Sequence, residues 1–137
     1  MSDCIFCKLA NGEIPTAKLC ENEEFTVILD AGPASRGHAL VLPKAHYANI
    51  CEIPDDLCGR AFIMAKHTSE RLAKAMHCDG FNIVQNNGEA AGQSVFHMHI
   101  HLIPRYAGSA PIVANWTPGT LTDQSRQEIL DAFSAVE

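Results

Sequence analysis

The chain has 137 residues, 47% of them apolar and 19% charged, the make-up of one globular domain able to build its own core. Its formal charge is −6 and Lys and Arg together number only 10, so a surface that neutralises many phosphates of DNA or RNA is not expected. A single small phosphate compound needs local donors and not a basic field, and it stays open. The first residues show no basic stretch leading into an apolar one, and no apolar run approaches the roughly 18 residues of a membrane span. Neither export nor membrane insertion is therefore expected, and a cytoplasmic location is. No repeat or linker divides the chain.

In chain order, Cys4 and Cys7 come first, and their spacing can place two thiolates on one metal or form a redox pair. The spacing alone does not choose. In a reducing compartment the six cysteines should be thiols, with the isolated Cys20, Cys51, Cys58 and Cys78 acting as small apolar residues in or near the core. Phe25–Leu29 and His38–Leu42 read as neighbouring strands joined through the turn-rich Asp30–Gly37. From Pro54 to about His77, Leu57, Ala61, Met64, Thr68, Leu72 and Ala75 recur at helical spacing, with Asp55 and Asp56 in the first turn and Gly80 just past the end. This is the main helix. Gly80–Gln85 is a further strand, and another carries His97 to Ile103 and is ended by Pro104. Thr122–Val136 can form a last amphipathic helix through Ile129, Leu130 and Phe133, which makes the whole pattern α+β.

The segment His97-Met98-His99-Ile100-His101-Leu102-Ile103 alternates histidine with apolar residues. Period two is the mark of a half-buried strand, so the histidines should share one face while Met98, Ile100 and Leu102 enter a core. Same-face neighbours stand roughly 6.6 Å apart, from a rise of about 3.3 Å per residue, too far for all three rings to converge on one small atom. A solvated polar face is one reading, and a zinc chelated by His99, His101 and a third ligand is another. The preceding Asn86-Asn87-Gly88-Glu89-Ala90-Ala91-Gly92-Gln93-Ser94 favours a third. Its glycines let backbone approach a ligand, and Gln93 and Ser94 add donors just before the histidines, which looks like a phosphate cradle.

Gly92 to Ile103 resembles the signature of the histidine triad (HIT) family, most closely its Hint-like branch of nucleoside phosphoramidases. The resemblance extends in outline from Cys4 to Arg105, through Ile5-Phe6-Cys7, Ile14-Pro15, Asp30, Gly37-His38-Ala39-Leu40-Val41-Leu42-Pro43-Lys44 and His46, and is poor beyond it. It implies a single domain over residues 1–137, with a core at about 4–105 and an extension at 106–137. It implies an antiparallel sheet with one long helix, and a homodimer that joins two sheets into one. It also implies a structural zinc on Cys4, Cys7, His46 and His97, a closed tetrahedron with no position for activated water, and no catalytic metal.

The resemblance implies a hydrolase or transferase acting at the α-phosphorus of purine nucleoside monophosphate derivatives such as phosphoramidates and acyl-adenylates. Dinucleoside polyphosphates, the substrates of the Fhit branch, are the rival class, and a nucleotide-binding regulatory module is a rival of another kind. A neutral imidazole is nucleophilic near neutral pH because its pKa lies at about 6.5. The resemblance assigns the attack to His99, through a nucleotidyl-imidazole intermediate, with the Nδ1 proton held by the carbonyl of His97. It gives His101 and Gln93 to the phosphate oxygens, and Ser94 lies where a donor could serve the leaving group. Asp30 matches a carboxylate that takes both ribose hydroxyls, although alone it reads as a turn-initiating aspartate. Asn86 matches a residue near ribose and phosphate, although Asn-Asn-Gly is also ordinary turn chemistry. Phe6, Leu9, Ile28 and Leu40 would line the base pocket, and His38 would sit behind the triad and orient its rings. Trp116 either packs locally or reaches the partner's pocket.

Overall fold

Two apolar runs with no polar face form the centre of the molecule, described here by a computed structural model for residues 3–109 and 117–136. They are β2 (Phe25–Leu29) and β3 (Ala39–Pro43). Phe25, Val27, Ala39 and Val41 join the core beneath the main helix, whereas Ile28, Leu40 and Leu42 join a second cluster on the opposite side. A strand covered on both faces is apolar at nearly every position, which is why these runs lack alternation; the exception, Thr26, is buried with its hydroxyl donated to Ala10 O.

The remaining elements dress that centre. The order is α1 (Ile5–Ala10), β1 (Lys18–Glu21), β2, β3, α2 (Asp55–Met76), β4 (Gly80–Val84), a 3-10 turn (Glu89–Ala91), β5 (Ile100–Arg105) and α3 (Asp123–Ser134). The five strands form one antiparallel sheet in the order β1-β2-β3-β5-β4. The main helix begins at Pro54 and ends at His77, whose left-handed backbone caps it. It lays Ala61, Ala65 and Leu72 on the sheet, and the two alanines let it lie close against Met98, Ile100 and Leu102. On the other face, α1 brings Phe6, Leu9 and Ala10 onto Ile28, Leu40 and Leu42. Cys20 and Cys58 pack beside the core as expected, but Cys51 is exposed.

Two expectations about the histidine strand need correction. The ladder begins only at Ile100, because the backbone before it is engaged elsewhere: Met98 N–H donates to Tyr47 O and the carbonyl of His97 is taken by the His99 ring. Nor does Pro104 end the strand, which runs to Arg105 with Pro104 opposite Phe81. The carbonyl of Pro104 faces Ser35, whose hydroxyl donates to it at 2.6 Å, so its nitrogen faces the same edge, where pairing with β3 has already stopped at Leu102. The missing N–H interrupts nothing there.

The predicted last helix forms, with Thr122 as its N-cap, but Ile129, Leu130 and Phe133 are all more than half exposed instead of packed. Trp116 lies outside the described residues. Among the described residues no helix is long and apolar enough to cross a membrane.

Candidate active site

On the α1 face of the sheet lies a cavity of about 570 Å³. Phe6, Leu9, Ile28 and Leu40 give it apolar wall, and Asp30, Asn86, Ser94, His99 and His101 give it polar groups, as expected from the sequence. Ile5, Pro15, Thr16 and Leu29 line it as well, none of them a residue the sequence assigned to the pocket. Asp30 Oδ1 accepts from Gly32 N–H at 2.8 Å, the turn its sequence suggests, and the residue also borders the cavity.

Gln93 does not. Its side chain is buried, its Nε2 donates to Ala48 O and Val95 O, and its Oε1 accepts from Gly88 N–H. A phosphate oxygen needs a donor, and both amide hydrogens are committed to backbone carbonyls. The expectation of a phosphate contact is thus corrected: Gln93 braces the glycine loop against the segment after His46. Asn87 does similar work unforeseen, its Oδ1 accepting from Ile50 N–H at 2.8 Å.

The protonation pattern of the four clustered histidines follows from backbone groups, because a carbonyl only accepts and an N–H only donates. His99 Nδ1 lies 2.7 Å from the carbonyl of His97, so Nδ1 carries the proton and Nε2 keeps its lone pair. Ala34 N–H points at His38 Nδ1 from 2.9 Å, so the neutral His38 carries its proton on Nε2. That proton is donated to His101 Nδ1, also at 2.9 Å, with Asp30 Oδ2 3.4 Å away. His101 must then hold its own proton on Nε2. The rings of His99 and His101 stand 4.9 Å apart, one presenting a lone pair and the other an N–H. Burial is the main reason all of them stay neutral: it pushes His101 down to about 4, assisted by His99 and His38, and lowers His99 and His38 below the ordinary imidazole value.

The first histidine of the row serves a different centre. His97 Nε2 lies 2.8 Å from Pro43 O and so bears the proton, which leaves Nδ1 as an acceptor. That nitrogen is 3.5 Å from Cys4 Sγ, 3.4 Å from Cys7 Sγ and 3.3 Å from His46 Nδ1, while Cys7 Sγ and His46 Nδ1 are 3.3 Å apart. A tetrahedral zinc with N and S ligands at its usual bond lengths requires edges of about 3.4 Å between nitrogens and about 3.6 Å between nitrogen and sulfur. The donor set therefore fits zinc. Asp30, His38 and His101 form a second close group of possible ligands, but it does not fit. Ala34 N–H keeps the proton of His38 on the nitrogen that would have to bind, and the free lone pair of His101 is turned to that proton. The same chemistry disfavours a catalytic zinc shared by His99 and His101.

Comparison with known proteins agrees with this construction. The HIT domain family profile matches residues 11–108. A HIT-like protein of Methanocaldococcus jannaschii is 48% identical over 111 residues, 80% of this chain and 84% of that one. An adenosine 5′-monophosphoramidase of Saccharomyces cerevisiae is 44% identical, covering 88% of this chain and 73% of its own. An adenylylsulfatase of Arabidopsis thaliana is 44% identical over 76% of this chain and 53% of its own. The crystal structure of a HIT family member from Bacillus subtilis superposes with a TM-score of 0.88 at 36% identity, covering 98% of this chain and 96% of that one. A zinc-bound histidine triad protein from Mycobacterium smegmatis gives 0.75 at 31% identity, with 98% of each chain covered. The chain belongs to the HIT family.

Protein purified from zinc-replete cells should carry one zinc per chain, and His46→Ala, which removes the one exposed ligand of the cluster, should lower its zinc affinity by more than the roughly 10- to 100-fold typical of losing an outer-shell partner. Elemental analysis and competition with a chromophoric chelator measure both; a wild-type protein without zinc would contradict the assignment.

Proposed function

We propose that the protein is a nucleotide hydrolase that attacks the α-phosphorus of purine nucleoside monophosphate derivatives, with phosphoramidates as the leading class. The observation that carries this reading is the unprotonated Nε2 of His99 beside the Nε2–H of His101 at the wall of a cavity large enough for a nucleotide. Two relatives bear the names of nucleotide hydrolases, adenosine 5′-monophosphoramidase and adenylylsulfatase, and both names describe cleavage at a nucleoside 5′-phosphorus.

The steps follow from the protons. His99 Nε2 uses its lone pair to form a bond to phosphorus, the bond from phosphorus to the leaving nitrogen breaks, and the hydroxyl of Ser94 serves that nitrogen as donor. The positive charge that develops on the His99 ring is met by the carbonyl of His97 at Nδ1. His101 Nε2–H and Asn86 meet the phosphate oxygens. Asp30 takes the ribose hydroxyls, and the base lies against Phe6, Leu9, Ile28 and Leu40. Water then attacks the nucleotidyl-histidine, one of its protons replacing the one that Ser94 passed to the leaving amine, which releases the nucleoside monophosphate and restores the lone pair of His99. When bound, zinc supplies only structural anchorage to Cys4, Cys7, His46 and His97. Dinucleoside polyphosphates remain the rival substrates within this chemistry.

A homodimer belongs to the same reading. β4 is a sheet edge whose exposed Ile83 is paired with Leu102 of the core under α2, Phe81 lies two residues away on the same face, and α2 itself carries the exposed Phe62 and Ile63. A long apolar edge is a template for pairing with a second copy. Light scattering at micromolar concentration should give twice the chain mass for wild type and a shift toward the monomer for Ile83→Lys; a monomeric wild type would overturn the pairing.

Turnover of an adenosine phosphoramidate tests the mechanism. His99→Asn should keep nucleotide binding and lose turnover on the order of 10⁴-fold or more, because no covalent intermediate can form. His101→Asn should lose on the order of 10²- to 10³-fold, the effect of removing one transition-state donor. Because burial lowers both rings, wild-type kcat/KM should not titrate at the ordinary imidazole value of about 6.5, and its acid limb should lie below that value. Substantial activity in His99→Asn, or an acid limb centred near 6.5, the ordinary imidazole value, would contradict the scheme.

A further inference from the structure

Helix α1 joins the two centres, and its geometry gives each a hold on the other. It has six residues, too short to be stable by its own hydrogen bonds. Its C-terminal end is pinned to the sheet: Thr26 Oγ1 donates to Ala10 O at 2.6 Å, and Asn11 Nδ2 donates to Lys44 O at 2.9 Å. Its N-terminal end carries Cys4 and Cys7, whose sulfurs lie against His46 and His97. At 100° per residue Cys4 and Cys7 occupy one side of the helix and Ile5, Phe6 and Leu9 the other. Those three side chains are cavity wall, and the ring of Phe6 stands edge-on to His99 with centroids 4.8 Å apart.

We propose that zinc and the purine base are positively linked through α1: the metal clamps one side of the N-terminal turn, the base packs on the other, and each binds more tightly when the other is present. This rests on reading the cavity as the nucleotide site and the cysteine cluster as the zinc site. At its other end the turn is anchored through Cys4 and Cys7 to His46 and His97, so without the metal's stronger clamp there the base must supply more of the turn's order as it binds, which weakens it. Linkage is reciprocal, so nucleotide must strengthen zinc binding by the same factor. The effect is confined to the base wall. Ribose and phosphate contacts come from Asp30, Asn86, Ser94 and His101, which α1 does not carry, so a ligand without a base should not be linked to the metal.

The test uses AMP and ribose 5-phosphate as probes. Titration calorimetry on zinc-loaded protein and on protein stripped by a chelator should show AMP affinity falling about tenfold or more on zinc removal, with ribose 5-phosphate changing by less than about twofold. Circular dichroism establishes that the stripped protein is folded. If it is not, the zinc-loaded protein carries the test alone: in equilibrium competition with a chromophoric chelator, saturating AMP should raise zinc affinity about tenfold, and ribose 5-phosphate should leave it unchanged. Equal AMP affinity in the two forms, a zinc affinity indifferent to AMP, or equal effects of the two probes overturns the linkage. Failure of AMP to bind the zinc-loaded protein instead overturns the nucleotide reading, and with it this proposal.

Discussion

Everything in the site depends on three backbone groups whose hydrogen-bonding sense cannot change. The carbonyl of His97 makes Nδ1 of His99 the protonated nitrogen, the carbonyl of Pro43 makes Nε2 of His97 the protonated one, and the N–H of Ala34 makes Nδ1 of His38 an acceptor. An imidazole has one proton to place, so each of these contacts dictates what the other nitrogen offers. The outcome is one lone pair directed to the sulfurs of Cys4 and Cys7, a second at the cavity, and, relayed by His38, an N–H on His101 beside it. Three histidines alternating along five residues thus present three different arrangements of proton and lone pair without a change of residue type.

Burial makes this arrangement persistent. A protonated His101 would set its Nδ1–H against the Nε2–H of His38, and the cost of desolvating the cation holds the ring neutral down to about 4. The described residues lining the cavity include neither Lys nor Arg, so phosphate would be met by neutral donors held in place by the fold. That is consistent with a chain of formal charge −6. It also explains why the loop before the histidines is braced so heavily: Gln93 and Asn87 commit their amides to backbone, keeping Asn86, Gly92 and Ser94 at the cavity wall.

Much of this was legible in the sequence where a periodic pattern or a motif carried it. The alternation at His97–Ile103 correctly placed Met98, Ile100 and Leu102 in the core beneath α2, and the helical spacing from Leu57 to Ala75 located that helix to within a residue. Cys4, Cys7, His46 and His97 came from the family resemblance, and their donor atoms do converge. What was not legible has one physical origin, the direction of hydrogen bonds to distant backbone. Gln93 looked like a phosphate donor because nothing in its neighbourhood announces that Ala48 O, distant in sequence, will take its amide. The Ala34 N–H that sets the proton of His38 belongs to a residue with no functional side chain. Pro104 looked like a terminator, and only the edge to which its nitrogen points shows that the strand can pass through it.

The central claim, that backbone contacts assign one tautomer to each ring, can be read directly from ¹⁵N chemical shifts of histidine-labelled protein with zinc bound, at about pH 7 where an unperturbed imidazole is largely neutral. The account predicts a neutral His99 protonated on Nδ1 and neutral His38 and His101 protonated on Nε2, with the His99 pattern converting to its opposite in no condition that preserves the fold. A charged His101, or a His99 carrying its proton on Nε2, would contradict it.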